Sequence, residues 1–122
     1  MPDNRNRQKL QKKLLVINST EFWFKITGYL QQNWALVETK IDDTCEIYFM
    51  SDHGEIFDIM VFPNYENARD GLVGNQFVNL QIKSRSGEFF KNIQPKPPYY
   101  IVPWLSNFGV YSSGGYWKLG QI

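Results

Sequence analysis

The sequence predicts an α+β fold in which a long N-terminal helix packs on a mixed or antiparallel β-sheet. Two observations indicate this fold class. Apolar residues recur at spacings of three and four between residues 20 and 37, which is the period of an α-helix. After them come short apolar runs rich in Ile, Phe, Tyr and Val, separated by turn residues, which is the pattern of β-strands. One helix followed by several strands is typical of an α+β domain.

The long helix is predicted to run from about residue 20 to about residue 37. Asn18, Ser19 and Thr20 precede it, and their side chains can accept hydrogen bonds from the free N–H groups of a first helical turn. The apolar positions at helical spacing are Phe22, Ile26, Tyr29, Leu30, Trp34 and Val37. Such a face would pack on the sheet.

The first strands are predicted around a turn at residues 51–54. The runs CEIYFM and EIFDIMVF flank the sequence Ser-Asp-His-Gly, and glycine after a polar trio is turn chemistry, so a β-hairpin is expected. A third strand is expected over FVNLQIKS, residues 77–84, because apolar and polar residues alternate there.

The remaining segments are predicted from their glycines and prolines. Residues 63–76 begin with a proline and contain two glycines, which indicates a long loop. The three prolines at 95, 97 and 98 precede YYIVPW, which we expect to form an edge strand. Two serines and two glycines at residues 112–115 indicate a closing hairpin.

The composition predicts one folded domain with a basic extension. The 122 residues are 43% hydrophobic and 16% aromatic, too apolar for a disordered chain. We expect residues 1–13 to form a flexible basic arm and residues 14–122 a single α+β domain. One cysteine, Cys45, excludes an internal disulfide, and with no signal peptide and no apolar run of membrane-spanning length a cytoplasmic location is expected. A lone Cys and a lone His cannot form a structural zinc site.

The charges are unevenly distributed along the chain. The net charge of +1 divides into +4 for residues 1–13, −7 for residues 14–82 and +4 for residues 83–122. An acidic centre between basic ends fits a cation site flanked by phosphate-binding arms. It fits equally an acidic surface that docks a basic protein, or charges scattered over a solvated surface.

The candidate for chemistry combines an acidic residue with the third predicted strand. Asp58 interrupts an apolar strand, where a carboxylate needs a partner or a metal. Gln81 and Lys83 share one face of their predicted strand, because side chains two residues apart point to the same face of a sheet. If the two strands are neighbours, these three groups converge, and Glu21 in the first turn of the predicted helix adds a second carboxylate. The alternative is an ordinary ion pair made by Asp58 on a polar sheet face.

This order of residues resembles the PD-(D/E)xK nuclease superfamily, which has a restriction-endonuclease-like fold. Its members carry a helix Glu, an Asp on a hairpin strand and then (D/E)-x-Lys, and this chain has glutamine at the motif acid. The resemblance implies a small Mg²⁺-dependent nuclease in which Asp58, the Gln81 side chain and the Ile82 carbonyl hold Mg²⁺. Lys83 would orient the attacking water, and Glu21 would hold metal-bound water or position Lys83.

The nuclease interpretation also predicts nucleic acid as the partner, and it is compatible with a homodimer. The basic residues expected to grip the phosphate backbone are Arg5, Arg7, Lys12, Lys13, Arg85, Lys91 and Lys96.

Two functions without catalysis are alternatives. One is a protein-binding module of the inhibitor or immunity type that uses an acidic central surface. The carboxylates expected in that surface are Asp42, Asp43, Glu46, Asp52 and Glu55. The other is a catalytically silent nucleic-acid binder that uses the basic arm and the aromatic residues of the C-terminal third.

Overall fold

A computed structural model describes residues 13–27, 31–81 and 93–101. Within these residues, seven strands form one mixed sheet and a ten-residue helix packs on it. The elements in chain order are β1 (Lys13–Leu15), β2 (Glu21–Thr27), β3 (Gln31–Thr39), β4 (Cys45–Met50), β5 (Glu55–Phe62), α1 (Tyr65–Gly74), β6 (Val78–Asn79) and β7 (Tyr99–Ile101). The strands lie in the order β1-β7-β5-β4-β3-β2-β6, and the pair β5–β7 is parallel.

The predicted fold class is wrong, because an antiparallel strand pair occupies the place of the long helix. Strand β2 pairs over its full length with residues 31–37 of β3, with Trp23 opposite Ala35. Phe22 and Phe24 are buried on one side of the sheet and Trp23 on the other. Trp23 interrupts the alternation of β2, and residues 34–37 of β3 are apolar on both faces of the sheet. The strand period of two is therefore hidden, and spacings of three and four appear by coincidence.

The residues expected to cap the helix instead fix the start of β2. The hydroxyl of Ser19 accepts a hydrogen bond from the Glu21 N–H (3.1 Å) and donates one to the Val37 carbonyl of β3. Serine is favoured at helix N-termini and in turns for the same reason, a short side chain that bonds nearby backbone. The Ser19 side chain therefore does bond nearby backbone, as predicted for a helix cap, but it does so at the start of a strand.

The predicted β4–β5 hairpin is confirmed. Its strands pair from Cys45–Phe62 down to a register shift beside Phe49, next to the turn. Gly54 in this turn has φ +80°, and an added Cβ would lie 3.4 Å from Tyr99 Cδ1 and 3.5 Å from the Pro98 carbonyl oxygen. Only glycine takes this conformation without strain, so the turn chemistry read from the sequence holds.

A helix, α1, lies within the segment predicted to be a loop. The Asn64 side chain caps it by accepting a hydrogen bond from the Asn67 N–H (2.8 Å). Its buried residues Ala68, Gly71 and Leu72 face the sheet. Glycine lowers helix propensity but does not forbid a helix when packing supplies the stability, which is why the loop prediction failed.

Two apolar clusters cover the two faces of the sheet. The first includes Phe49, Phe77 and Leu72 and lies between the sheet and α1. The second includes Trp34 and Tyr48, and Ile17 in the connection between β1 and β2 packs against it. Helix α1 covers the first face, and the chain that connects β1 to β2 contacts the second.

Two other expectations concern the borders of the sheet. Strand β7 was expected at an edge but lies between β1 and β5. Lys13, assigned to the flexible arm, is the first residue of β1. The rest of the arm, residues 1–12, and the predicted closing hairpin at 112–115 lie outside the described residues.

Candidate functional site

The strand order separates Asp58 from Gln81, which are two of the three predicted metal ligands. One row of paired residues crosses five strands: Asp58, Phe49, Ala35, Trp23 and Asn79. Neighbouring strands are about 4.8 Å apart, so the four steps from Asp58 to Asn79 span about 19 Å across the sheet. Gln81 follows Asn79 by two residues. Oxygen ligands lie about 2.1 Å from a Mg²⁺ ion, so Asp58 and Gln81 do not share one coordination sphere.

The local structure around each residue differs from the prediction as well. Asp58 is buried opposite Phe49, and its carboxylate accepts a hydrogen bond from the Ile59 N–H (2.9 Å). Gln81 is exposed in a turn after β6, not within a strand. The separation arises because α1 carries the chain from β5 to the far edge of the sheet, where β6 pairs with β2. Ile82 and Lys83 lie outside the described residues.

Glu21 lies in a separate cluster, under the start of α1. One of its carboxylate oxygens accepts hydrogen bonds from Trp23 Nε1 (2.9 Å) and from the Tyr65 hydroxyl (2.7 Å). Three strand steps, about 14 Å, separate β2 from β5 and so Glu21 from Asp58. In these contacts Glu21 joins β2 to α1, which is a structural role.

The environment of Tyr65 predicts that the stability of the fold changes with pH in the alkaline range. Burial, and next the hydrogen bond to Glu21, raise the pKa of Tyr65 to about 12, while an unfolded tyrosine titrates near about 10. Between these values the unfolded chain loses a proton that the folded chain keeps. We therefore expect the free energy of unfolding to decrease as pH rises above about 10, measured by urea unfolding at about pH 9 and about pH 11.

The control for this prediction is Tyr65→Phe. It removes one of the tyrosines that must ionise on unfolding, so the loss of stability between the two pH values should become smaller. A remaining slope is expected because burial also raises the pKa of Tyr48 and of Tyr99. An identical slope in the variant would show that Tyr65 titrates normally in the folded protein.

The predicted nucleic-acid contacts fall mostly outside the described residues. Lys13 and Lys96 are both exposed, in β1 and before β7. Arg5, Arg7, Lys12, Arg85 and Lys91 are not among the described residues. Within the described part, Lys and Arg number five and Asp and Glu number ten, a net charge of −5. No group of three His, Cys, Asp or Glu residues in that part is placed to hold a metal ion.

The turn between β3 and β4, residues 40–44, carries two aspartates and is closed by hydrogen bonds, and we call it the acidic turn. The Lys40 N–H donates to the Thr44 carbonyl (2.7 Å) and the Asp43 N–H to the Lys40 carbonyl (2.9 Å). The Asp42 carboxylate accepts from both the N–H (3.1 Å) and the hydroxyl (2.6 Å) of Thr44. These bonds hold the pKa of Asp42 below its usual value, so Asp42 stays ionised. Ile41 at the tip is fully exposed.

Charged side chains continue from the acidic turn onto the adjoining strands. Glu38 and Glu46 are directly opposite each other on β3 and β4, an unfavourable pair of like charges. Lys40 offsets the repulsion, because its ammonium lies 3.6 Å from Glu38 and 3.5 Å from Glu46. Glu46 also accepts a hydrogen bond from Tyr48, and Val61, opposite Glu46, is exposed. The end of the sheet thus combines carboxylates with exposed apolar side chains.

The five carboxylates predicted to form one acidic surface lie at two ends of β4. Asp42, Asp43 and Glu46 are at the acidic turn. Asp52 and Glu55 are at the β4–β5 turn, and the six residues of β4 span about 20 Å between the two ends. Asp52 accepts a hydrogen bond from Trp34 Nε1 (2.7 Å), so it is engaged in the fold.

A cleft brings together two residues predicted for different sites. Its volume is about 300 Å³, and it is lined by Thr20, Leu80, Gln81, Gln94 and Lys96. Leu80 belongs to the second apolar cluster, and its N–H donates to the Phe22 carbonyl (2.9 Å), which fixes one wall to β2. A hydroxyl, two amides and an ammonium therefore border one concave space.

Sequence reasoning missed three of the residues that matter here. Ile41 is the one apolar residue in the run Lys-Ile-Asp-Asp-Thr, and that isolation among polar turn residues was its signal. Thr20 and Gln94 line the cleft but are distant in sequence, so no local pattern marks them.

Comparisons with known proteins return no match: no family model, no curated protein and no solved structure is significantly similar to the chain. Among the described residues, no helix is long and apolar enough to cross a membrane.

Proposed function

We propose that the protein is a non-catalytic protein-binding module that docks a basic partner through the acidic turn. The observation that carries this proposal is the fully exposed Ile41 between a lysine and two aspartates, on a turn closed by four hydrogen bonds. Such a turn presents an apolar contact and negative charge together, in a fixed shape.

Preorganisation is the first physical support. Ordering loops and side chains on association costs free energy, and a turn that is already ordered avoids part of this cost. The acidic turn joins β3 and β4, and residues 34–37 of β3 and the whole of β4 pair with strands on both sides. Its position relative to the sheet is therefore fixed by central strands.

Charge is the second support. Glu38, Asp42, Asp43 and Glu46 outnumber Lys40 by three charges at this end of the sheet, and the described part of the chain is net negative. A negative surface accelerates encounters with a positive partner and disfavours other acidic surfaces. Ile41 and Val61 supply apolar area, which stabilises the docked state once water is expelled.

The other interpretations stay predictions. The Mg²⁺-dependent nuclease gains no support from the separation of Asp58 and Gln81, and its Lys83 lies outside the described residues. The silent nucleic-acid binder depends on basic residues that are mostly outside them too. A cytoplasmic location likewise stays an expectation from the single cysteine.

We expect the double variant Ile41→Ser/Asp43→Asn to lose binding to a basic partner by about fivefold or more. Asparagine suits position 43 because Asp43 has φ 72°, a conformation that Asn tolerates, so the turn should persist. The measurement is co-precipitation with the tagged protein from cells that express it, followed by affinity measurement on the purified partner at low and high salt.

A matched control is available on α1. The double variant Asp70→Asn/Val73→Ser makes the same kinds of change at two exposed helix positions. It should bind like the wild type. Equal losses in both double variants, or an affinity that does not weaken with salt, would contradict docking through the acidic turn.

A further inference from the structure

We propose that the cleft lined by Thr20, Leu80, Gln81, Gln94 and Lys96 binds a small organic anion, in which one anionic group pairs with Lys96 and neutral polar groups bond the amides. This site is separate from the acidic turn and does not depend on the proposed docking function.

Lys96 is the cationic group of the cleft. It is exposed, and no carboxylate of the described residues forms an ion pair with it. By contrast, Lys40 bridges two carboxylates. An ammonium beside a concave space, without an ion pair to any carboxylate of the described residues, favours an anion there.

The neutral residues define the rest of the ligand. Gln81 and Gln94 each carry an amide that donates and accepts hydrogen bonds, and Thr20 carries a hydroxyl that does both. The Gln81 backbone N–H is already bonded to the Asn79 side chain (2.8 Å), which fixes the backbone of this wall. Leu80 offers an apolar surface. A ligand that uses all of these groups has hydroxyl or amide groups beside its anionic end.

The size and charge of the cleft limit the ligand further. A volume of about 300 Å³ corresponds to about ten water molecules, so the ligand is a metabolite of on the order of ten heavy atoms. A single ammonium balances one negative charge. A carboxylate or a phosphate monoester bearing hydroxyl or amide groups has this chemistry, and the two differ in charge.

The test uses three probes and amide chemical shifts. N-acetylglutamine represents the carboxylate, glycerol phosphate the phosphate ester, and the amide of N-acetylglutamine a neutral analogue. We expect shifts at Thr20, Gln81, Gln94 and Lys96 with at least one anionic probe at up to about 10 mM, and an affinity for the neutral analogue at least about tenfold weaker. The anion that binds more tightly shows whether the cleft prefers a carboxylate or a phosphate ester.

Variants separate the cleft from general charge. Lys96→Met should weaken binding of the anion by about tenfold, Lys96→Arg should restore part of it, and Lys13→Met on β1 should leave it unchanged. Unfolding midpoints check that each variant folds. The proposal is overturned if neither anion shifts these residues, if the neutral analogue binds equally, or if Lys96→Met binds like the wild type.

Discussion

Replacing Trp34 with alanine is expected to lower the free energy of unfolding by about 3–5 kcal/mol. Trp34 is completely buried on β3, with its ring centroid 5.9 Å from those of Phe22 and Phe24. Its indole Nε1 also donates to Asp52 (2.7 Å), which ties the core to the β4–β5 turn. Removal of the ring leaves a cavity that a packed sheet fills only in part. Urea unfolding measures the change.

Two milder variants divide this loss between packing and hydrogen bonding. Trp34→Phe keeps an aromatic ring and removes the donor, whereas Asp52→Ala keeps the ring and leaves the indole N–H without this acceptor, a cost of about 1–3 kcal/mol. Both should lose less stability than Trp34→Ala. A Trp34→Ala variant that unfolds like the wild type would contradict the placement of Trp34 in the core.

Replacing Ala35 with leucine is expected to destabilise the protein by about 1–3 kcal/mol. Ala35 has no exposed surface and lies between Trp23 on β2 and Phe49 on β4. A larger side chain must displace aromatic rings on both sides. In the helix predicted from the sequence, position 35 is off the apolar face, and leucine there would be neutral. The variant therefore distinguishes the sheet from the predicted helix.

Thr39→Leu is the control for this change. Thr39 is exposed at the end of the same strand, so the added bulk meets solvent and stability should change by about 0.5 kcal/mol or less. Equal effects at positions 35 and 39 would contradict the β2–β3–β4 register.

Local patterns predicted those parts of the fold whose interactions are local. The β4–β5 hairpin was predictable because the turn residues 51–54, with Gly54, directly connect the two strands that pair. The β2–β3 pair was not, because the helical spacing from Phe22 to Val37 runs across two strands, and residues 34–37 are apolar on both faces of the sheet. Helix α1 was missed because a proline and two glycines indicated a loop, whereas the Asn64 cap and packing on the sheet stabilise a helix there.

The candidate sites follow the same division. The charges of the sequence showed that its centre is acidic. Only the structure shows that the predicted carboxylates lie at two opposite ends of β4. Asp58, which stands out in the sequence as a carboxylate among apolar residues, is buried. Its relation to Gln81 depends on strand order, which is set by pairings between distant segments and is not encoded in spacing. The cleft that joins Gln81 to Lys96 is non-local for the same reason.

The most direct test of docking through the acidic turn is site-specific photo-crosslinking in cells that express the protein. A photoreactive phenylalanine replaces Ile41 in one variant and Val73 in another, because both side chains are exposed. We predict a discrete adduct from position 41 with a basic partner, weakened by Asp43→Asn and by added salt, and no such adduct from position 73. Adducts of equal yield from both positions, or an adduct from position 41 that neither salt nor Asp43→Asn weakens, would contradict it.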